Sequence, residues 1–310
     1  MARRRDNGPG GLIIVDKPAG FTSHDVVAKL RGMARTRRVG HAGTLDPMAT
    51  GVLVIGTERA TRLLGHLALA EKEYVATIRL GQETVTEDAE GEITASRGAK
   101  DLERERVDAA VATLTGEISQ VPSAVSAVKV DGKRAYARVR EGEKVELAAR
   151  QVTISSFVVH DVREETAEDG TAVTDLLVSV VCSSGTYVRA LARDVGAALE
   201  TGGHLTALRR TRVGPYGLDG AHTLEQLQQL VDAEEPLPVL PLGEAAAAAF
   251  PRWDVDEEQA RRIGNGVQLR MPADCAGSGP GPVAVFGPGG QFVALVEDRG
   301  GRAKSLAVFM

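Results

Sequence analysis

The run Gly40-His41-Ala42-Gly43-Thr44-Leu45-Asp46-Pro47-Met48-Ala49-Thr50-Gly51 constrains the fold more than any other stretch of the chain. Glycines at 40, 43 and 51 let the backbone turn tightly or come close to another group. Pro47 biases Asp46 away from the α region and removes one backbone donor beside it. The run therefore reads as a loop with a carboxylate on it. It lies between a basic stretch (Arg35, Arg37, Arg38) and Gly51-Val52-Leu53-Val54-Ile55, which reads as a buried strand.

The elements around this loop alternate without a β-α-β rhythm. Gly11 to Asp16 reads as a strand that ends at the turn Lys17-Pro18-Ala19-Gly20, with Thr22 or Ser23 capping a helix that buries Val26, Val27 and Leu30. Helical spacing covers 60–70, 102–114, 187–200 and 223–232. Strand-like runs cover 74–80, 144–161 and 171–183. Such mixing predicts an α+β fold rather than a doubly wound one. Glu235 to Pro241 holds three prolines in seven residues and reads as an extended boundary. Beyond Phe250, short strands are expected at 267–270, 283–286, 292–296 and 305–309, with Gly287-Pro288-Gly289-Gly290 as a turn. The expected division is a large domain, 1–245, and a small β-rich domain, 246–310.

The formal net charge of −5 speaks against a nucleic-acid partner only if it is spread evenly, and it is not. Residues 1–64 carry eleven Lys and Arg against five Asp and Glu, whereas 217–310 carry seven against thirteen. Screening confines each charge to about 8–10 Å, so a basic face can bind phosphates whatever the total. Arg3, Arg4 and Arg5 read equally well as part of that face and as a solvated tail. Cys182 and Cys275 stand alone, without the spacing of a zinc site, and fit a reducing compartment. No signal peptide or membrane span is expected.

On local chemistry alone, Asp46 reads first as an Asx-turn former that shapes the loop, and only second as a nucleophile or base. Resemblance separates the two. GHAGTLDPMATGVL, from Gly40 to Leu53, resembles the signature of the TruB family of pseudouridine synthases. Four further segments, in the family's order, resemble its other motifs: Gly11 to Gly20 with Thr22-Ser23; Lys72-Glu73-Tyr74 with Leu80-Gly81 and the acidic loop Thr84 to Gly91; Cys182 to Arg189; and Leu205 to Arg212. The resemblance implies a mixed-sheet pseudouridine-synthase catalytic domain followed by a small PUA-like domain. It implies isomerisation of uridine at position 55, in the T loop of tRNA, with no cofactor. The expected partner is the tRNA T arm; no membrane and no obligate protein partner are expected, and the protein is expected to be a cytoplasmic monomer.

The resemblance also assigns roles. Asp46 is the catalytic carboxylate, which must be ionised near neutral pH. Arg189 is the guanidinium that offsets its desolvation and orients it. Tyr74 stacks on the flipped uracil, unless it is simply a core aromatic. Leu208 lines the pocket, or is core. His41 fills the space the base leaves. Lys17 approaches a phosphate or braces the loop, and Asp88 orients Arg189 or contacts RNA. Residues 122–146, with Lys129, Lys133, Arg134, Arg138, Arg140 and Lys144, read as an RNA-contacting segment or a charged surface stretch. Here Pro122-Ser123 and Val125 depart from the family's pair of prolines and aromatic.

Overall fold

The computed structural model describes residues 10–123, 129–130, 133–134, 147–272, 275 and 281–310. In chain order the elements are β1 (Gly11–Lys17), α1 (Ser23–Met33), β2 (Val39–Ala42), β3 (Thr50–Thr57), α2 (Leu64–Leu67), β4 (Lys72–Leu80), β5 (Gln82–Thr84), β6 (Ile93–Ser96), α3 (Arg104–Thr113), β7 (Gly116–Gln120), β8 (Lys129–Val130), β9 (Lys133–Arg134), β10 (Arg150–Thr166) and β11 (Ala172–Cys182). Then follow α4 (Val188–Ala198), β12 (Gly203–Val213), β13 (Tyr216–Gly217), β14 (His222–Thr223), α5 (Leu224–Asp232), β15 (Leu240–Pro241), α6 (Leu242–Ala249), β16 (Arg252–Asp254), α7 (Glu257–Gly264), β17 (Val283–Phe286), β18 (Phe292–Asp298) and β19 (Ala303–Val308). The chain forms two compact units. One comprises 1–46, 52–69 and 213–310; the other comprises 47–51 and 70–212.

In the first unit, β1 is an almost wholly buried apolar strand. It runs parallel to β14 (Val15 opposite His222) and antiparallel to β15 (Leu12 opposite Leu240), so the sheet is mixed. The proline-rich segment is extended, and its last two residues are pinned to β1 by this pairing. β2 pairs antiparallel with β3, His41 opposite Ile55. The C-terminal strands form a sheet in the order β16-β17-β18-β19. Both of its faces are covered. Ala284, Phe286, Phe292 and Leu295 join a core with Leu12, Ile14, Val52, Val54 and Leu242. Val283, Val285, Val293 and Val296 pack with Trp253 and with Ala260 and Ile263 of α7. This explains why β17 and the start of β18 read as unbroken apolar runs rather than alternating ones.

In the second unit the strand order is β12-β4-β11-β10-β7. The start of β3 runs parallel to β12, with Arg209 opposite Thr50, and the pairs β4–β11, β11–β10 and β10–β7 are antiparallel. Strict alternation of buried and half-buried positions along β4 puts Lys72, Tyr74, Ala76, Ile78 and Leu80 on its buried side. β10 carries two irregularities, at Ile154/Ser156 and Val159/Asp161, which let a strand of 17 residues follow its shorter partners.

Three expectations change. The helix expected over 60–70 is a 3-10 turn, Glu58–Arg62, followed by the four-residue α2. Ala60, Leu63, Leu64 and Leu67 still bury together, but Thr61 and Gly65 weaken a continuous helix. Residues 267–270 form no strand; only Arg270 makes a single bridge, to Arg302. The strand expected over 144–161 is Arg150–Thr166, and the alanines at 245–249 lie in α6, with α7 following behind a capping box from Asp256 to Gln259. The basic tail at Arg3 to Arg5 lies outside the described residues. So does most of 122–146, although β8 and β9 pair antiparallel within it. No helix among the described residues is long and apolar enough to cross a membrane.

Lys72 and Cys182 face each other across β4 and β11. Burial, with help from Arg210, pushes the Lys72 ammonium down to about 8, and burial pushes the Cys182 thiol up to about 11. Between about pH 8 and 10.5 the folded chain has released the Lys72 proton while the unfolded chain still holds it, so this group makes stability rise with pH. Between 9 and about 11 the folded chain keeps the Cys182 proton that the unfolded chain has lost, so this group makes stability fall. Lys72→Met should therefore remove the rising component and leave only the fall above pH 9, read as the pH dependence of the urea midpoint.

Candidate active site

On the N-terminal side of Asp46, the loop is held by the hydroxyl of Ser23. Thr22, not Ser23, caps α1, in a reciprocal box with Asp25. Ser23 is thereby left to the loop: its buried Oγ accepts from the Leu45 N–H at 2.9 Å and donates to the Leu45 carbonyl at 3.2 Å. Both backbone groups of the residue before Asp46 are thus tied to the first turn of α1. Leu45 is itself buried, and Asp46 is half-buried. Gly43 supplies the left-handed turn, at φ +75°. At the other end of the run, Gly51 has φ +99° and lies so close to Arg210 that a Cβ would stand 2.1 Å from the Arg210 carbonyl.

Lys17 is fully buried. Its Nζ donates to the carbonyls of Pro18 and Phe21, at 2.8 and 2.6 Å. A side chain without exposed surface does not reach a phosphate, so of its two expected roles the geometry serves the brace: Lys17 closes the turn that delivers the chain to Thr22 and Ser23. His41 sits on β2, half-buried, with its ring edge-on to that of His24 at 5.4 Å between centroids.

In the second unit Arg189 and Asp88 come together. Arg189 lies in the first turn of α4 and is buried, as is Asp88. Its Nη1 donates to the Thr86 carbonyl at 2.9 Å and stands 3.3 Å from Asp88 Oδ2. The other oxygen of Asp88 accepts from Thr86 Oγ1 and from the Glu90 N–H. The acidic loop is therefore a bracket folded around its own aspartate and closed on Arg189. Of its two expected roles, Asp88 is placed for orienting Arg189. Tyr74 and Leu208 are buried on the neighbouring strands β4 and β12. Among the described residues no group of His, Cys, Asp and Glu is arranged to hold a metal.

Several contributors escaped the sequence reading. Gln120, buried, exchanges two hydrogen bonds with the backbone of Tyr187, the residue that starts α4. Arg193 and Glu87 form an ion pair at 2.8 Å. The available signal was spacing: Arg193 is one helical turn beyond Arg189, and Glu87 adjoins Asp88.

The model of the TruB family pseudouridylate synthase N-terminal domain matches residues 31–188. The chain belongs to the TruB family of pseudouridylate synthases. Two further family models continue this match: the tRNA pseudouridylate synthase B C-terminal domain over 189–242, and the tRNA pseudouridine synthase II C-terminal region over 250–310. The tRNA pseudouridine synthase B of Streptomyces griseus is 70% identical over 97% of this chain and 97% of its own. That of Mycobacterium ulcerans is 53% identical over 98% and 97%. Among solved structures, a Cbf5-Nop10-Gar1 complex matches with a TM-score of 0.72 at 26% identity, covering 97% of this chain and 85% of that one. The mixed-sheet pseudouridine-synthase fold implied by the motifs is thereby confirmed for this TruB-family chain.

Two outcomes test the local geometry. Lys17→Met should lower the unfolding free energy by about 2–4 kcal/mol, because two carbonyls lose a charged donor. RNA affinity of the protein that remains folded should be unchanged; a loss of affinity at unchanged stability would return Lys17 to a phosphate contact. Gly51→Ala should cost at least about 2 kcal/mol, from a disfavoured φ and a collision with backbone that cannot swing away. Urea titration measures both.

Proposed function

We propose that this TruB-family chain isomerises uridine to pseudouridine at position 55 in the T loop of tRNA, with the target base flipped out of its stack. The observation that carries the reading is the intact Asp46 loop within a chain 70% identical, over 97% of its length, to a protein named tRNA pseudouridine synthase B. The reaction breaks the C1′–N1 bond and forms C1′–C5, so the uridine C5 hydrogen must leave. It is redox-neutral and needs a group that takes up charge or a proton beside the sugar, which an ionised carboxylate provides.

Asp46 is the catalytic residue in this reading, and Arg189 is the guanidinium that the family's pattern pairs with it. Tyr74 stacks on the extruded uracil, Leu208 is an apolar wall of the base pocket, and His41 occupies space the base leaves. An RNA loop suits such a site, since its bases splay out at little cost. Residues 1–245 form the catalytic part and 246–310 a PUA-like RNA-supporting part. The protein works in the cytoplasm as a monomer on the T arm, without an obligate protein partner.

Tritium release from tRNA transcripts labelled at uridine C5 tests the proposal. The parent protein should release tritium and Asp46→Asn should not, with tRNA binding retained. Release by both would remove Asp46 from the chemistry. Tight binding with release by neither would make the protein an RNA-binding or RNA-folding factor, or direct it to another RNA.

A further inference from the structure

Arg193 uses its whole guanidinium. Nε meets Asp194 Oδ1 at 2.8 Å, Nη1 meets Glu87 Oε1 at 2.8 Å, and Nη2 donates to the Val121 carbonyl at 2.9 Å. It thus ties three pieces of chain together: its own helix, the acidic loop, and the residue that follows β7. Arg193 lies on α4 four residues after Arg189, hence on the same helical face.

The acidic loop needs that tie. Glu87 stands between Thr86, whose carbonyl receives Arg189, and Asp88, whose carboxylate faces it. Glu87 also has φ +61°, a left-handed conformation that costs a non-glycine residue free energy and persists only where neighbours impose it. Three contacts impose it here, the first being the Glu87 N–H, which donates to the Thr84 carbonyl at 3.2 Å. The Glu87 carbonyl accepts from the Leu205 N–H at 3.0 Å, and the Glu87 carboxylate is bound by Arg193. Removing the Arg193 guanidinium leaves a half-buried carboxylate without that partner in the middle of the bracket. The loop then relaxes toward an ordinary φ, and the two oxygens that aim Arg189 move with it. Gln120 adds a parallel tie between β7 and the start of α4, so the helix itself stays seated when Arg193 is changed.

We propose that Arg193, acting through Glu87, is a positioning residue for the isomerisation: it holds the 84–88 bracket in the strained shape that fixes the direction of the Arg189 guanidinium. The proposal rests on the reading of Arg189 as part of the reaction. It concerns the chemical step rather than RNA affinity, because Arg193 is committed to protein partners through all three of its nitrogens.

The test is single-turnover tritium release with enzyme in excess over labelled tRNA, alongside tRNA affinity and a thermal melt. The variants are Arg193→Met, Arg193→Lys, Glu87→Gln, the double variant Arg193→Met/Glu87→Gln, and Arg189→Lys as a control. Arg193→Met should slow the single-turnover rate by about 10- to 100-fold, the range expected when a catalytic group is misaimed by about an ångström. Its tRNA affinity should equal the parent's. Arg193→Lys, which keeps the charge facing Glu87, should recover part of the rate. The double variant should be no slower than Arg193→Met, since both changes break one support. A parent-like rate for Arg193→Met beside an inactive Arg189→Lys would overturn the proposal while leaving Arg189 in place. A parent-like rate for Arg189→Lys would overturn the reading on which it rests. If Arg193→Met fails to fold, the nearly isosteric Glu87→Gln decides: a parent-like rate overturns the proposal, and a slowed rate at unchanged affinity upholds it.

Discussion

A buried guanidinium is costly, and the acidic loop is shaped by the need to satisfy Arg189. Taking an arginine out of water costs several kcal/mol, regained only when charge and hydrogen-bond acceptors are both supplied. Thr86 and Asp88 supply them, and Asp88 in turn is satisfied by Thr86 Oγ1 and the Glu90 N–H. A carboxylate in such a setting is fixed in direction. The segment from Thr84 to Gly91, although exposed at Val85, Ala89 and Glu90, folds as the seat of the arginine. Its own backbone is bent into an unfavourable φ at Glu87 to serve that end.

How far the sequence disclosed this depends on the range of each interaction. β4 was legible because period-2 alternation is a local pattern, and the structure keeps that pattern over nine residues. A cap at Thr22 or Ser23 was legible because capping is local, and the box with Asp25 decides for Thr22. The order of the motifs gave the family. The Arg193–Glu87 pair was not legible, since it joins residues 106 apart and either side chain alone reads as solvated charge. Lys17 was open to two readings for a related reason. A lysine beside a turn looks available to solvent, and only the structure shows its ammonium closed over two carbonyls.

The C-terminal region shows the same limit in packing. Its strands at 283–286 and 292–296 were evident as apolar runs, but a run does not say what covers it. Here one face meets α7 and the other shares a core with β1, β3 and α6. Arg59 and Arg62 also donate to the carbonyls of Phe309 and Val308, which ties the last strand to the turn after β3. An acidic segment so anchored contributes first by covering the apolar side of the strands that lead into and out of the Asp46 loop. Its poor charge match to phosphate matters less than that burial.

The two hydroxyls at the start of α1 make the last point about the site. Helix capping asks for one hydroxyl or carboxylate, and Thr22 meets that need with Asp25. The next residue, Ser23, carries a second hydroxyl that the helix does not require, and it holds both the N–H and the carbonyl of Leu45. An alanine there would leave the helix capped but strand two buried backbone groups beside Asp46. A buried peptide without partners costs about as much as the bonds that Ser23 supplies, so the loop would shift to find water. The serine thus belongs to the loop rather than to the helix on which it sits. The adjacent Thr-Ser pair, read together with Lys17 and its turn, is a single device that fixes the backbone from which the Asp46 carboxylate projects.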